Sequence, residues 1–283
     1  MSNFWTRTIT GFSLVFILLL ALFFGGWVFA GVFLVITILG LWEFYGLITS
    51  DTCHPQKYYG ILAGVLFYTC TMLICLVPQA TSPGHRWAVF IPFLLLVPLF
   101  FITFIIEIYR NKPNPLVNIA TTAFGFLYIS LPFSLLIFLN RGEMLHFMGM
   151  LVILASYFGF TWIDDTVAYL FGKQFGKHKL FERISPKKTW EGSIAGAIVT
   201  LAAAVGMHYL VPEMPLADFV VLACMVLFFG THGDLVESLL KRSLNIKDSG
   251  NILPGHGGIL DRFDTMLISA PFVFLYFFIR LLI

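Results

Sequence analysis

The stretch from Thr8 to Ile48, TITGFSLVFILLLALFFGGWVFAGVFLVITILGLWEFYGLI, decides the fold class. It contains two apolar runs, 8–24 and 27–48, and each falls in the range of about 17–25 residues that a helix needs to cross the hydrocarbon core of a bilayer. Arg7 precedes the first run as in a signal peptide, but no clear A-x-A cleavage site follows it. We therefore predict that both runs are retained as membrane-spanning helices.

The same pattern recurs along the whole chain. Of its 283 residues, 59% are hydrophobic and 11% are charged, whereas soluble domains carry about 25% charged residues. We predict an all-α, polytopic integral membrane bundle of about nine transmembrane helices with a polar cavity open to the cytoplasm. The N-terminal helices, 1–140, and a C-terminal catalytic region, 141–283, are expected to form one integrated bundle. The predicted spans are 8–24, 27–48, 59–77, 87–108, 116–139, 146–163, 193–212, 217–233 and 265–283.

Lysine and arginine residues are distributed unequally between the two sides that nine spans define. Fourteen lie on the side of the N-terminus and three, Arg86, Arg141 and Arg280, lie on the other. Because cytoplasmic loops carry the excess of these cations, the N-terminus and the long polar segments 164–192 and 234–264 are predicted to face the cytoplasm. The compact length favours a bacterial inner membrane, and an organellar membrane is the alternative location.

One polar segment, SLLKRSLNIKDSGNILPGHGGILDRFD from Ser238 to Asp264, follows the eighth apolar run. Asp234, Ser238 and Lys241 are spaced i, i+4 and i+7, so a helix would present them on one face. A carboxylate, a hydroxyl and an ammonium group in that order are suited to a metal at one end and a phosphate at the other. The alternative is an interfacial helix with solvated charges, or an internal ion pair from Glu237 to Lys241.

Further along this segment, glycines surround His256, and their exposed N–H groups could bind anionic oxygens. A plain tight turn is the alternative interpretation. Asp261 and Asp264 are three residues apart and share a face if the last helix begins there. Hard oxygen ligands without a nearby cysteine or histidine pair favour Mg²⁺ over zinc.

An earlier polar segment contains two adjacent acids, Asp164 and Asp165, where the sixth apolar run ends. These acids are either a second source of ligands or a helix-end ion pair with Lys173. The sequence ISPKKTWEG, residues 184–192, follows and supplies cations and a hydroxyl for an anionic headgroup. The alternative is a solvated basic loop that only enforces topology.

The segment from Ser238 to Asp264 resembles the signature of the CDP-diacylglycerol synthases, also called phosphatidate cytidylyltransferases. Residues 184–192 and the motif Asp165-Thr166-x-Ala168-Tyr169 resemble the same family, so the similarity covers the C-terminal part of the chain. One departure is visible, because Asp164 stands where a neutral residue is expected. The N-terminal spans resemble the family only in hydropathy.

This resemblance implies that CTP and phosphatidic acid are condensed to CDP-diacylglycerol and pyrophosphate in phospholipid biosynthesis. It also implies a Mg²⁺ centre held by Asp234 and Asp261, which a monovalent cation such as K⁺ accompanies. From the residue patterns and the resemblance together, the predicted catalytic residues are Asp234, Asp261, Asp264, Lys241 and Asp165. The predicted substrate-binding residues are Ser185, Lys187, Lys188, Thr189, Ser238, Arg242, Lys247, Asp248, His256, Gly257, Gly258 and Arg262.

Two other functions fit parts of this pattern. A CTP-dependent polyprenol or phytol kinase would share the C-terminal motif but release CDP. An ion-coupled transporter would use Asp165, Asp234 and Asp261 as a cation path through the membrane. The expected partners are CTP, phosphatidic acid and membrane lipid, with a homodimer as a further expectation and no nucleic acid.

Overall fold

The computed structural model describes residues 3–77, 90–139, 147–255 and 257–282, and these residues are mainly helical. Eight helices in this described part are long and apolar enough to cross a membrane, which confirms the predicted helical membrane bundle. The first predicted span lies in α1, where the shorter stretch Ile9–Phe24 is apolar. The elements are α1 (Asn3–Phe24), α2 (Gly26–Ile48), α3 (Lys57–Leu76), α4 (Ile91–Arg110), α5 (Pro115–Leu139), α6 (Phe147–Phe175), β1 (Lys179–Phe181), β2 (Ser185–Thr189), α7 (Trp190–Leu210), α8 (Leu216–Met225), a π-helical turn (Val226–Gly230), α9 (Thr231–Ser243) and α10 (Leu260–Leu282).

Two helices extend far beyond the C-terminal ends of the predicted spans. Helix α6 continues past residue 163 to Phe175, so Asp164 and Asp165 lie inside a helix and not at its end. The predicted span 217–233 continues as α9 to Ser243. A short antiparallel hairpin, β1 with β2, occupies part of the polar segment 164–192 and was not predicted.

The chain forms two compact units. The first comprises Met1–Arg141 and Asp248–Phe263, and the second comprises Gly142–Lys247 and Asp264–Ile283. Each unit therefore combines residues that are far apart in the sequence.

The core of the first unit is organised around Tyr45 of α2, which is completely buried. Its hydroxyl donates a hydrogen bond to the Thr122 carbonyl at 2.7 Å. Its ring lies against Gly60 of α3 and Gly125 of α5, where a Cβ atom would collide with it. The two glycines therefore allow three helices to pack around one aromatic ring.

We expect Gly125→Ala to destabilise the protein, because its Cβ would lie 2.6 Å from ring atoms of Tyr45. Overpacking of this kind costs about 1–3 kcal/mol. A lower thermal unfolding midpoint in detergent would be the readout. Gly31→Ala is the matched control, since its Cβ would meet no atom within 4 Å. Equal midpoints for the two variants would contradict this account of the core.

The first unit also contains a polar network around Glu107 of α4, which is 6% exposed. The Glu107 carboxylate accepts hydrogen bonds from Gln56 at 2.8 Å, Asn118 at 2.7 Å and Arg110 at 2.8 Å. A buried carboxylate is tolerated when such charge-assisted bonds compensate its lost hydration. This network fastens α4 to α5 and to the segment that precedes α3.

In the second unit, polar contacts link the start of α8 to the end of α10. Asp218 accepts hydrogen bonds from Tyr276 at 2.6 Å and from Arg280 at 3.1 Å. Near the middle of α10, Ser269 forms a 2.6 Å hydrogen bond with Tyr157 of α6. These contacts hold α10 against the helices that carry the polar residues described next.

Candidate active site

Three carboxylates meet where α9 and α10 pack together in the second unit. Asp234 and Glu237 come from α9 and Asp264 from α10, and one potential ligand oxygen of each lies within 4.8 Å of the others. Glu237 is buried, whereas Asp234 and Asp264 are half-buried. Closely spaced carboxylates repel one another, and nearby cations reduce this repulsion.

Glycine allows the close approach of the two helices. A Cβ atom on Gly233 would lie 2.5 Å from the Asp264 carbonyl oxygen and 3.1 Å from Thr265 Cα, both of which are backbone atoms. One turn earlier, a Cβ atom on Gly230 would lie 2.6 Å from Thr265 Cγ2. The π-helical turn Val226–Gly230 leads directly into α9, and such turns are frequent at functional sites.

Two lysines pair with this cluster. The Lys188 ammonium forms an ion pair with Asp234, and the Lys241 ammonium forms one with Glu237. The Ser238 hydroxyl donates a 3.3 Å hydrogen bond to Asp234. The helical stripe of Asp234, Ser238 and Lys241 is thus present, and so is the Glu237–Lys241 ion pair that was its alternative.

The hairpin explains how Lys188 reaches a helix that begins more than forty residues later. Strand β2 ends at Thr189, whose hydroxyl accepts a 3.3 Å hydrogen bond from the Gly192 N–H and caps α7. A Cβ atom on Gly172 of α6 would lie 2.9 Å from the Thr189 hydroxyl oxygen. The hairpin is therefore fixed at both α6 and α7.

A cavity of about 610 Å³ opens beside Asp234 within the second unit. This volume is in the usual range for small-molecule sites, roughly 300–1,000 Å³. Acids, lysines and hydroxyl groups share its wall, so it is suited to a ligand that carries phosphate groups. Its polar lining comprises Asp164, Asp165, Tyr169, Lys173, Lys179, Lys187, Lys188, Thr189, Ser193, Thr231 and Asp234.

The two adjacent acids of α6 differ in their surroundings. Asp164 is half-buried and packs against Gly196 of α7, where a Cβ atom would collide with its carboxylate. It also lies close enough to Asp165 and Lys188 to interact electrostatically. Asp165 is exposed to the cavity. Both acids therefore belong to the cavity wall.

The glycine-rich segment (residues 248–259) belongs to the first unit, together with Asp261. The Asp261 carboxylate accepts hydrogen bonds from the N–H groups of Ser249 and Gly258, both at 2.9 Å. Gly257 has a φ of +84°, which favours glycine. The Gly258 N–H thus donates to a side chain of the protein, and binding of a substrate anion by this turn stays a prediction.

The other predicted site residues lie at more exposed positions. Lys187, Arg242, Lys247, Asp248 and Arg262 are exposed, and Ser185 and Gly257 are half-buried. Arg242 donates a 3.2 Å hydrogen bond to the Ile246 carbonyl. His256 lies outside the described residues. The predicted metal pairing of Asp234 with Asp261 stays a prediction.

Glu237 was considered in the sequence only as a partner of Lys241, and its place in the carboxylate cluster was missed. The signal was available, because Glu237 follows Asp234 by three residues and shares its helix face. Asp264 was identified by the same spacing from Asp261. What the sequence did not reveal was the contact between the two helices.

The chain is similar in sequence to known proteins. The profile of the cytidylyltransferase family matches residues 5–280. A phosphatidate cytidylyltransferase of Staphylococcus aureus (strain COL) is 36% identical over 201 residues, which are 71% of this chain and 74% of that relative. One from Bacillus subtilis (strain 168) is 50% identical over 123 residues, 42% of this chain and 44% of the relative. One from Rickettsia typhi is 41% identical over 158 residues, 53% and 67% of the respective chains.

Proposed function

We propose, because the chain belongs to the cytidylyltransferase family, that it transfers the cytidylyl group of CTP to phosphatidate and releases pyrophosphate. The observation that carries this proposal is the cavity in which lysines face the Asp234 carboxylate. Such a site can bind phosphate groups through the lysines while the acids hold a cation. The relatives named above are phosphatidate cytidylyltransferases, which supports phosphatidate as the acceptor.

In this reaction a phosphate oxygen of phosphatidate forms a bond to the α-phosphorus of CTP. The bond from that phosphorus to the α,β-bridging oxygen breaks, and this oxygen leaves with pyrophosphate. The attacking oxygen is already anionic near neutral pH, so the protein need not supply a strong base. Positioning and charge neutralisation provide most of the rate enhancement in phosphoryl transfer. Lys187, Lys188 and Thr189 line the cavity. In the proposed site the two lysines would hold phosphate oxygens, and the Thr189 hydroxyl would lie beside them.

The carboxylate cluster suits a divalent cation. Asp234, Glu237 and Asp264 offer hard oxygen ligands, which Mg²⁺ prefers, and a site that substrate phosphates complete needs only a few protein ligands. When bound, Mg²⁺ would neutralise phosphate oxygens of CTP. We retain Asp261 as a further candidate ligand from the family resemblance. The accompanying K⁺ also stays a prediction of that resemblance.

The cellular setting is proposed on the same basis. Apolar helices identify an integral membrane protein, and the relatives named above come from bacteria. We therefore propose the bacterial inner membrane, with the cavity and the N-terminus on the cytoplasmic side as the lysine and arginine distribution predicts. The homodimer stays a prediction.

Product analysis tests the proposed reaction against its rivals. Purified protein in detergent micelles, given CTP, Mg²⁺ and phosphatidate, should release pyrophosphate only when phosphatidate is present. Release of CDP would instead indicate a lipid kinase. No consumption of CTP, together with ion-driven solute uptake in sealed vesicles, would indicate a transporter.

Lys188→Gln should lower kcat/KM for CTP at least tenfold. The substitution removes one charge-assisted contact to phosphate, which is worth about 1.5–3 kcal/mol, and it also removes the partner of Asp234. Steady-state kinetics with saturating phosphatidate would measure the effect. Lys177→Gln is the matched control, because Lys177 is exposed near the same hairpin but is not among the residues that line the cavity. A Lys188→Gln value within twofold of wild type would remove Lys188 from the site.

A further inference from the structure

A carboxylate inside the second apolar span contacts the glycine-rich segment. Glu43 of α2 is only 6% exposed. Its carboxylate accepts hydrogen bonds from the Ser249 hydroxyl, from the Ile259 N–H at 2.8 Å and from the Leu260 N–H at 3.2 Å. All these residues belong to the first unit. Glu43 thus connects a membrane span to a segment more than 200 residues away in the sequence.

The hydrogen bonds explain how this charge is tolerated. A buried carboxylate is costly unless donors replace its hydration. Two of the three donors to Glu43 are backbone N–H groups at the start of α10, and the positive end of a helix dipole stabilises an anion there. Ionisable groups in membrane spans are rare and usually functional. The partners of Glu43 therefore indicate that its function concerns the glycine-rich segment and the start of α10.

The glycine-rich segment is shaped around this carboxylate. A Cβ atom on Gly250 would lie 3.0 Å from Glu43 Cδ, and one on Gly258 would collide with a Glu43 carboxylate oxygen and with the Ser249 hydroxyl. A side chain at position 258 would displace the Glu43 carboxylate, and one at position 250 would press against it.

Asp261 holds the same segment through different atoms. It accepts hydrogen bonds from the N–H groups of Ser249 and Gly258, while Glu43 accepts from the Ser249 hydroxyl and packs against Gly258. The orientation of the Asp261 carboxylate therefore depends on the position of residues that Glu43 fixes. Asp261 is one of the acids that the sequence predicts to be catalytic.

We propose that Glu43 is a positioning residue for cytidylyl transfer, because its buried carboxylate anchors the glycine-rich segment and thereby sets the orientation of Asp261. The evidence for this anchoring comes only from contacts within the first unit. The effect on turnover rests on the proposed function. No contact of Glu43 with substrate is needed.

Glu43→Gln tests the proposal with little change in shape. The glutamine side chain replaces one acceptor oxygen with an N–H₂ donor. At least one of the donors Ser249, Ile259 and Leu260 then loses its acceptor. We expect faster hydrogen–deuterium exchange in peptides covering residues 248–263, unchanged exchange in α7 and α9, and turnover per folded molecule at least tenfold below wild type. Glu107→Gln is the matched control, since Glu107 is equally buried in the same unit and has its own partners. It should lower the thermal midpoint without changing exchange at 248–263 or turnover.

Ser249→Ala is a second variant in case Glu43→Gln does not fold. It removes one donor to Glu43 and should raise exchange at 248–263, with a several-fold loss of turnover. Normal exchange in either folded variant, or turnover within twofold of wild type, would overturn the proposal. An equal loss of turnover in Glu107→Gln would also overturn it, because the effect would then be general. If wild-type protein transferred no cytidylyl group, the proposed function would fail, while the exchange data would still decide whether Glu43 anchors the segment.

Discussion

Asp234→Asn is expected to lower cytidylyl transfer on the order of a hundredfold or more, equivalent to roughly 2.7 kcal/mol of transition-state stabilisation. Asparagine keeps an oxygen that can accept the hydrogen bond from Ser238, so the local shape is preserved. The negative charge is lost, however, from the carboxylate cluster and from the ion pair with Lys188. Turnover per folded molecule at saturating CTP and phosphatidate would measure the effect.

Asp218→Asn is the matched control for this prediction. Asp218 belongs to the same unit and also forms an ion pair, with Arg280, but it does not line the cavity beside Asp234. We expect a lower thermal midpoint and turnover within threefold of wild type. If Asp234→Asn retained a tenth or more of the wild-type turnover, Asp234 would not be part of the catalytic site.

Gly233→Ala should impair both stability and catalysis. The added Cβ would lie 2.5 Å from the Asp264 carbonyl oxygen and 3.1 Å from Thr265 Cα. Because these are backbone atoms, α9 and α10 must move apart, at a cost of about 1–3 kcal/mol. The same movement separates Asp264 from Asp234 and Glu237, and a misplacement of about 1 Å can cost a hundredfold in rate. We expect a lower thermal midpoint and at least a tenfold loss of turnover per folded molecule.

Gly206→Ala provides the comparison for Gly233→Ala. It is also a helical glycine in the second unit, but its Cβ would meet no atom within 4 Å. Alanine is favoured over glycine in helices by about 1 kcal/mol, so the midpoint should stay equal or rise and turnover should not change. Retention of full turnover in Gly233→Ala would show that the close helix contact does not position the carboxylates.

Much of the fold could be predicted because a long apolar run can satisfy its backbone polar groups in a membrane only as a helix or within a closed barrel. The ends of α6 and α9 could not be predicted in this way. The apolar run of α6 stops before Asp164, yet the helix continues to Phe175, and Asp164, Asp165 and Lys173 of this extension line the cavity. Hydropathy reports the environment of a helix and not where its hydrogen bonding ends.

The candidate site was predictable to the extent that it depends on helix periodicity. The spacing of Asp234, Ser238 and Lys241 predicted that these residues share one face of a helix. In the structure all three lie on α9, and Ser238 donates a hydrogen bond to Asp234. The pairing of Lys188 with Asp234 depends on a hairpin that hydropathy does not reveal. Glu43 was missed because a single acid in an apolar run gives no spacing pattern, although its isolation was itself a signal.

The most direct test of the proposed function follows two labels in CTP, one in the cytosine ring and one on the γ-phosphate. Wild-type protein with phosphatidate and Mg²⁺ should move the ring label into the lipid extract and the γ label into aqueous pyrophosphate, in equal amounts, and Asp234→Asn should move neither at a comparable rate. Transfer of the γ label to lipid, with the ring label left as CDP, would contradict the account and identify a lipid kinase.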